Sequence, residues 1–136
     1  MSLVLELDET LEGARVLVEP SGAEQVLFNL VDNACKYAAA STPPVIHVRL
    51  ARAGERVLVR VIDHGVGISP AELKRIFGRF YRIPASVAVR TKGSGLGLFI
   101  VRSVARKHGG RAFAESAGQG QGSTFTLLLP SAPASA

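Results

Sequence analysis

The spacing of apolar and polar residues changes several times along the chain, and each change marks an element. Leu3 to Asp8 and Ala14 to Glu19 alternate loosely, which is the period of a strand, with Glu9 to Gly13 as the turn between them. Pro20 to Gly22 interrupts the alternation, and Ser21 is placed to cap a helix running to about Ala39. On a wheel turning about 100° per residue, Leu27, Val31, Ala34 and Ala38 form an apolar face. Asn29, Asn33 and Lys36, flanked by Gln25 and Asp32, lie nearly opposite. Ser41 to Pro44 reads as a loop. Val45 to Ala51 and Arg56 to Asp63 alternate strictly and pair as a hairpin across Arg52 to Glu55, one face buried and one wet. Ser69 caps a short helix with Pro70 at its first position. Pro84 to Lys92 has no period and reads as a mobile loop. Gly95 to His108 reads as a helix stopped by Gly109 and Gly110, and Arg111 to Glu115 with Ser123 to Leu129 supply further strands. Strands and helices mix without strict βαβ alternation. The expectation is an α+β (α/β) sandwich, a mixed sheet of about five strands with helices packed on one face.

Composition narrows this to one domain over residues 1–130, with a flexible low-complexity tail over 131–136. With 136 residues, 47% of them hydrophobic and 20% charged, the chain can bury a core and is not a disordered segment. Its longest apolar run, Leu96 to Val101, is too short to span a bilayer, and no charged-then-apolar leader opens the sequence, so no membrane contact is expected of this domain. The single cysteine, Cys35, cannot form an internal disulfide and fits a cytoplasmic setting. A formal charge of +5 raises the question of a polyanionic ligand. The basic residues are scattered, and six Phe, two Tyr and no Trp make poor stacking platforms, so no nucleic acid is expected.

Three stretches carry candidate chemistry. In "NLVDNACKY", residues 29–37, two asparagines stand mid-helix, where asparagine is a mediocre helix former. Either the polar face simply meets water, or it meets a ligand: the Asn33 amide oxygen suits Mg²⁺, and Lys36 can neutralise phosphate. In "DHGVGI", residues 63–68, Asp63 at a strand end offers an acceptor-only carboxylate, and Gly65 and Gly67 let a planar ligand approach. A purine amino group would donate there, while a guanine carbonyl would be repelled; an Asx turn is the plainer alternative. In "GSGLGL", residues 93–98, glycines precede a helix start, which is an anion site or a hinge for the mobile loop.

Taken in order, "NLVDNACKY", "DHGVGI", "IFGRFYR" and "GSGLGL" resemble the N, G1, F and G2 boxes of the ATP-binding catalytic domain of bacterial sensor histidine kinases. The resemblance runs from about Leu3 to Pro130 and includes the ending "GSTFTLLLP". It implies a Bergerat-type fold that binds ATP and Mg²⁺ and donates the γ-phosphate to a histidine on a dimerisation domain absent from this chain, for relay to a response regulator. Asn33 would hold the metal, and Asn29 and Lys36 would act at the phosphates. Tyr37 would line the site, and Asp63 would receive the adenine amino group in a pocket shaped by Gly65, Gly67 and Ile68. Phe77 and Phe80 would anchor the lid, and Arg82 would lie near the phosphates or the partner domain. Gly93, Ser94, Gly95, Leu96, Gly97 and Leu98 would bind phosphate at the helix start, with Thr124 at the adenine edge. The domain would be cytoplasmic, whether or not its parent is anchored in a membrane.

The acceptor pattern of such kinases, His-Glu-x-x-x-Pro-Leu, does not occur at His47, His64 or His108, so autophosphorylation of this chain alone is not expected. Three other readings compete. An ATPase of the gyrase, mismatch-repair or chaperone kind would need a glutamate one helical turn before the metal-binding asparagine, and that position is Asn29, which cannot take a proton. An anti-sigma-factor-type serine kinase shares the fold, but the Lys36-Tyr37 pair and the "FGRFYR" stretch resemble histidine kinases more closely. A degenerate, non-catalytic binding module would lack the polar ligands that this sequence retains.

Overall fold

The strictest alternation in the sequence builds the middle of a sheet. The computed structural model describes residues 2–7, 20–38, 45–78, 97–118 and 120–131. Within these, β1 (Ser2–Leu7) precedes the helix α1 (Pro20–Ala38), and the hairpin β2 (Val45–Ala53) and β3 (Arg56–Asp63) follows. After the short α2 (Pro70–Leu73) come α3 (Gly97–Lys107), β4 (Arg111–Glu115) and β5 (Ser123–Pro130). The strands form one sheet in the order β1-β2-β3-β5-β4, with β1 parallel to β2 and the other pairs antiparallel. The mixed five-stranded sheet is therefore the expected one. The strand expected at Ala14 to Glu19 and its preceding turn lie outside the described residues, as do the loop at Pro84 to Lys92 and the tail from 132.

Several boundaries move for physical reasons. The β2–β3 connection is two residues long rather than four, because Gly54 adopts φ +61° and lets Arg52 and Ala53 pair with Val57 and Arg56. Helix α1 as described already contains Pro20 and Ser21, so Ser21 lies within the helix rather than capping it. The Ser69 cap of α2 is as expected, its Oγ accepting from the Glu72 N–H at 3.4 Å. Helix α3 ends at Lys107. Gly109 at φ +74° turns the chain, and the Gly110 N–H reaches the Ala105 carbonyl at 2.7 Å, closing the helix end.

The helices cover one face of the sheet. Val26, Leu30 and Ala34 from α1 and Leu98, Val101 and Ala105 from α3 meet Ile46, Val48, Val59, Val61, Phe125 and Leu127 in a single core. This differs from the expected apolar face of α1. Leu30 is 1% exposed and Leu27 44%, so the helix is rotated by about one residue from the wheel assignment. The consequence matters for function. Asn29 and Asn33 do not oppose the core; they flank it, half-buried, along the seam where α1 lies against α3 and β3.

Candidate functional site

The alternation of β3 turns its last residue, an acid, toward the helices. Val59, Val61 and Asp63 share that face, and Asp63 is 1% exposed. A carboxylate taken out of water is costly without partners. The Gly65 N–H donates to Oδ1 at 3.0 Å, while Oδ2 has no partner. Burial raises the Asp63 carboxyl above its ordinary range, opposed by the Gly65 amide, by His64 and by the nearby Ser123 backbone amide, which lower it. The result is a preformed acceptor whose Oδ2 makes no hydrogen bond of good geometry.

Directly across the ladder stands Ser123, 3% exposed, with an Oγ that also lacks a partner. Strand period decides which residue of β5 can share a site with Asp63. Thr124, expected at the adenine edge, is the next residue along and belongs to the opposite face. There it pairs with Ile62 and Glu115, and it lines a cleft of about 430 Å³ at the strand ends that also takes in Asp63, His64 and Ser123. The sequence held the signal for Ser123: it alternates in phase with Phe125 and Leu127, as Asp63 does with Val61 and Val59.

The α1 residues sit along the same layer. Asn33 is half-buried with a buried, unpartnered Nδ2. Asn29 is engaged: its Oδ1 accepts from Gln25 Nε2 at 3.0 Å, and its Nδ2 donates to the Gly97 carbonyl at 3.2 Å. That bond ties α1 to the first residue of α3, whose opening N–H groups have no acceptor within the helix. Ile68, Phe77 and Leu98 are buried members of the core, so each has a packing role. Arg102 places its guanidinium 5.9 Å from the Phe77 ring centroid. Gly65 and Gly67 are buried in the turn after β3, with Gly67 at φ +72°. Of the expected site residues, the structure joins Asn29 to Gly97 and Asp63 to Gly65, and it places Ile68 and Leu98 together in the core between the helices and the sheet. Phe80, Arg82, Gly93, Ser94, Gly95 and Leu96 lie outside the described residues, as do the side chains of Lys36 and Tyr37.

Buried, half-satisfied polar groups gathered at one end of an otherwise apolar layer point to a bound polar ligand. The comparisons with known proteins say which kind. Residues 18–133 match the family of histidine kinase-, DNA gyrase B- and HSP90-like ATPases. The chain belongs to this family. It is 40% identical over 121 residues to the signal transduction histidine-protein kinase AfsQ2 of Streptomyces coelicolor, covering 89% of this chain and 22% of that one. Its fold matches the mycobacterial sensor histidine kinase MprB with a TM-score of 0.78 and 30% identity, over 97% of this chain and 83% of the other. The catalytic domain of histidine kinase ThkA matches with a TM-score of 0.76 and 29% identity, over 97% and 81%. The architecture is thus the α+β Bergerat fold of histidine kinase catalytic domains, and the family is one of ATP users. The chain spans about a fifth of the length of AfsQ2.

Among the described residues no group of three or more His, Cys, Asp or Glu could hold a metal ion. The donor type that Asn33 offers is a neutral amide oxygen, which fits a hard cation held chiefly by a ligand's own oxygens. Among the described residues, too, no helix is long and apolar enough to cross a membrane.

Proposed function

We propose that this chain binds Mg·ATP in the layer between α1, α3 and the β3–β5 strand ends, and donates the γ-phosphate to a histidine on a dimerisation domain of its parent protein. The observation that carries this reading is the pair of buried polar atoms without hydrogen-bond partners, Asp63 Oδ2 and Ser123 Oγ, on residues paired across the ladder. An exocyclic amine satisfies the carboxylate, and a ring nitrogen beside it can accept from the serine hydroxyl. Adenine presents a donor and an acceptor side by side on that edge. Guanine reverses the pattern and would set a carbonyl against the carboxylate.

The remaining residues position the triphosphate. The N–H groups at the start of α3 face anions favourably, and Lys36, one turn beyond Asn33 on α1, supplies a positive charge. Asn33 would hold Mg²⁺, which supplies charge neutralisation on the transferring phosphoryl group. Asn29 fixes the spacing of α1 and α3 through its bond to Gly97. Its amide cannot act as a general base, so water is not activated at that position and hydrolysis should be slow. The nucleophile is the acceptor imidazole, and the response regulator receives the phosphoryl group afterwards. Catalysis in this domain is then positioning and electrostatics. The domain works in the cytoplasm, where ATP is available, as a unit covering residues 1–130.

Calorimetric titration with ATP and with GTP, each with and without Mg²⁺, tests the reading. ATP should bind and GTP should not, and Asn33→Ala should remove the Mg²⁺ dependence. A folded chain that binds neither nucleotide would overturn it.

A further inference from the structure

We propose that Ser116, in the turn between β4 and β5, is a positioning residue for the nucleotide loop, acting through a clamp that fastens residues 65–68 to the turn. The inference rests on the ATP reading above and concerns how the adenine pocket is held in shape before ligand arrives. The loop after β3 is rich in glycine, and Gly67 sits at positive φ, so local chain stiffness cannot fix its form. Something else must.

The fixing contacts all come from one place. Ser116 Oγ accepts from the Ile68 N–H at 3.0 Å and from the Gly118 N–H at 3.2 Å, and donates to the Gly122 carbonyl at 2.7 Å, with the Gly118 carbonyl at 3.3 Å as its weaker alternative. One hydroxyl thereby joins the nucleotide loop to both limbs of the turn. Backbone bonds run alongside it: the Gly120 N–H donates to the Val66 carbonyl at 2.6 Å and the Gly122 N–H to the Gly65 carbonyl at 3.2 Å. The two segments approach so closely that a Cβ on Gly67 would collide with the Gly118 carbonyl oxygen, and one on Gly122 with the Asp63 carbonyl oxygen.

The geometry explains why the contact bears on binding. Gly65 donates its N–H to Asp63 Oδ1 and so orients the carboxylate, and the carbonyl of the same residue accepts from the Gly122 N–H, which holds the residue in place. Ile68, whose N–H is held by Ser116, is 2% exposed and closes the loop onto the core. Ser123, the other half of the adenine-facing pair, directly follows Gly122 on the clamped turn. Both halves of the pocket edge are thus registered by the same hydroxyl. Preorganisation of this kind shows as affinity.

The test is Ser116→Ala against Ser116→Thr, which keeps the hydroxyl, with the exposed Ser103→Ala on α3 as control. In the ligand-free chain, Ser116→Ala should speed amide exchange at Ile68 and Gly122 by about tenfold while leaving Val59 and Leu127 unchanged. In calorimetry it should weaken ATP binding by about tenfold, with Ser116→Thr and Ser103→Ala within about twofold of the unsubstituted chain. Faster exchange with unchanged ATP affinity would overturn the positioning role. So would unchanged exchange at Ile68. If the unsubstituted chain binds no ATP, the functional reading fails first, while the exchange result still reports whether the clamp exists. Should Ser116→Ala not fold, the unsubstituted chain decides: saturation with ATP should slow exchange at Gly120 and Gly122, which belong to the turn, by about threefold. Slowing confined to Ile68 would overturn the proposal.

Discussion

The helix-facing side of the β3–β5 ladder has two parts, its middle and its Asp63 end, that obey different rules. At the middle, Val59 and Val61 face Leu127 and Phe125, all apolar, all buried, with nothing left to satisfy. At the end, two rungs along the same side, Asp63 faces Ser123, equally buried and each with an uncommitted polar atom. The first part is what a chain makes to be stable. The second costs stability, since burial without partners is unfavourable, and a polar ligand of matching chemistry would offset that cost. Under the proposed function, the nucleotide base is that ligand.

The sharpest way to separate the two parts is to damage each in turn. Phe125→Ala, in the apolar middle, should cost about 3–5 kcal/mol of stability through lost burial and a residual cavity. Chemical denaturation measures this, and ATP affinity measured well below the transition should be little changed. Asp63→Asn, at the polar end, should do the reverse. It removes the charged acceptor and should weaken ATP by about 2–3 kcal/mol, while stability at neutral pH should hold or rise because a buried charge is gone. A variant that lost both to the same degree would erase the distinction.

Acid offers a milder version of the same experiment. Folding raises the Asp63 pKa above its ordinary 3.8, so the native chain holds this proton more tightly than the unfolded one. The stability linked to it is therefore complete below 3.8 and is lost as pH rises through the folded value. ATP asks for the opposite state, because the ionised carboxylate is the acceptor. Affinity should fall about tenfold per pH unit once pH drops below the folded value, and binding in that window should release a proton. Titrations in buffers of different ionisation enthalpy would detect the release, and Asp63→Asn should abolish it. A pH-independent affinity across the acidic range would remove Asp63 from the contact.

How much of this was legible beforehand depends on what each feature rests on. Strict alternation in "RVLVRVID" announced β3 and its inward Asp63, and the glycines of "DHGVGI" announced a special turn, because both depend on residues adjacent in sequence. The face of α1 was misjudged by about one residue. Leu27, Phe28, Val31 and Cys35 make that helix apolar over a wide arc, and only the sheet and α3 select Val26, Leu30 and Ala34 from it. Register, a long-range property, decides which of the neighbouring hydroxyls of Ser123 and Thr124 stands opposite Asp63, and no local pattern shows it. Ser116 was missed for a related reason: nothing local ties residue 116 to residue 68. Features set by period were readable, and features set by which strand lies beside which were not.

The neighbouring hydroxyls give the finest test of the two-part ladder. Ser123 and Thr124 are adjacent in sequence and similar in chemistry, yet they lie on opposite faces of β5, one opposite Asp63 and one opposite Ile62. If the uncommitted atoms at the polar end exist for the base, Ser123→Ala should cost about 1 kcal/mol of ATP affinity, the worth of one hydrogen bond. Its effect on stability should be small or favourable, since the lost hydroxyl had no partner in the free chain. Thr124→Ala should leave affinity unchanged, because its side chain lies on the other face of β5, opposite Ile62. The reverse pattern, with Thr124 mattering and Ser123 silent, would mean that the base approaches from the far face of the sheet, and Asp63 would then be buried for reasons of folding alone.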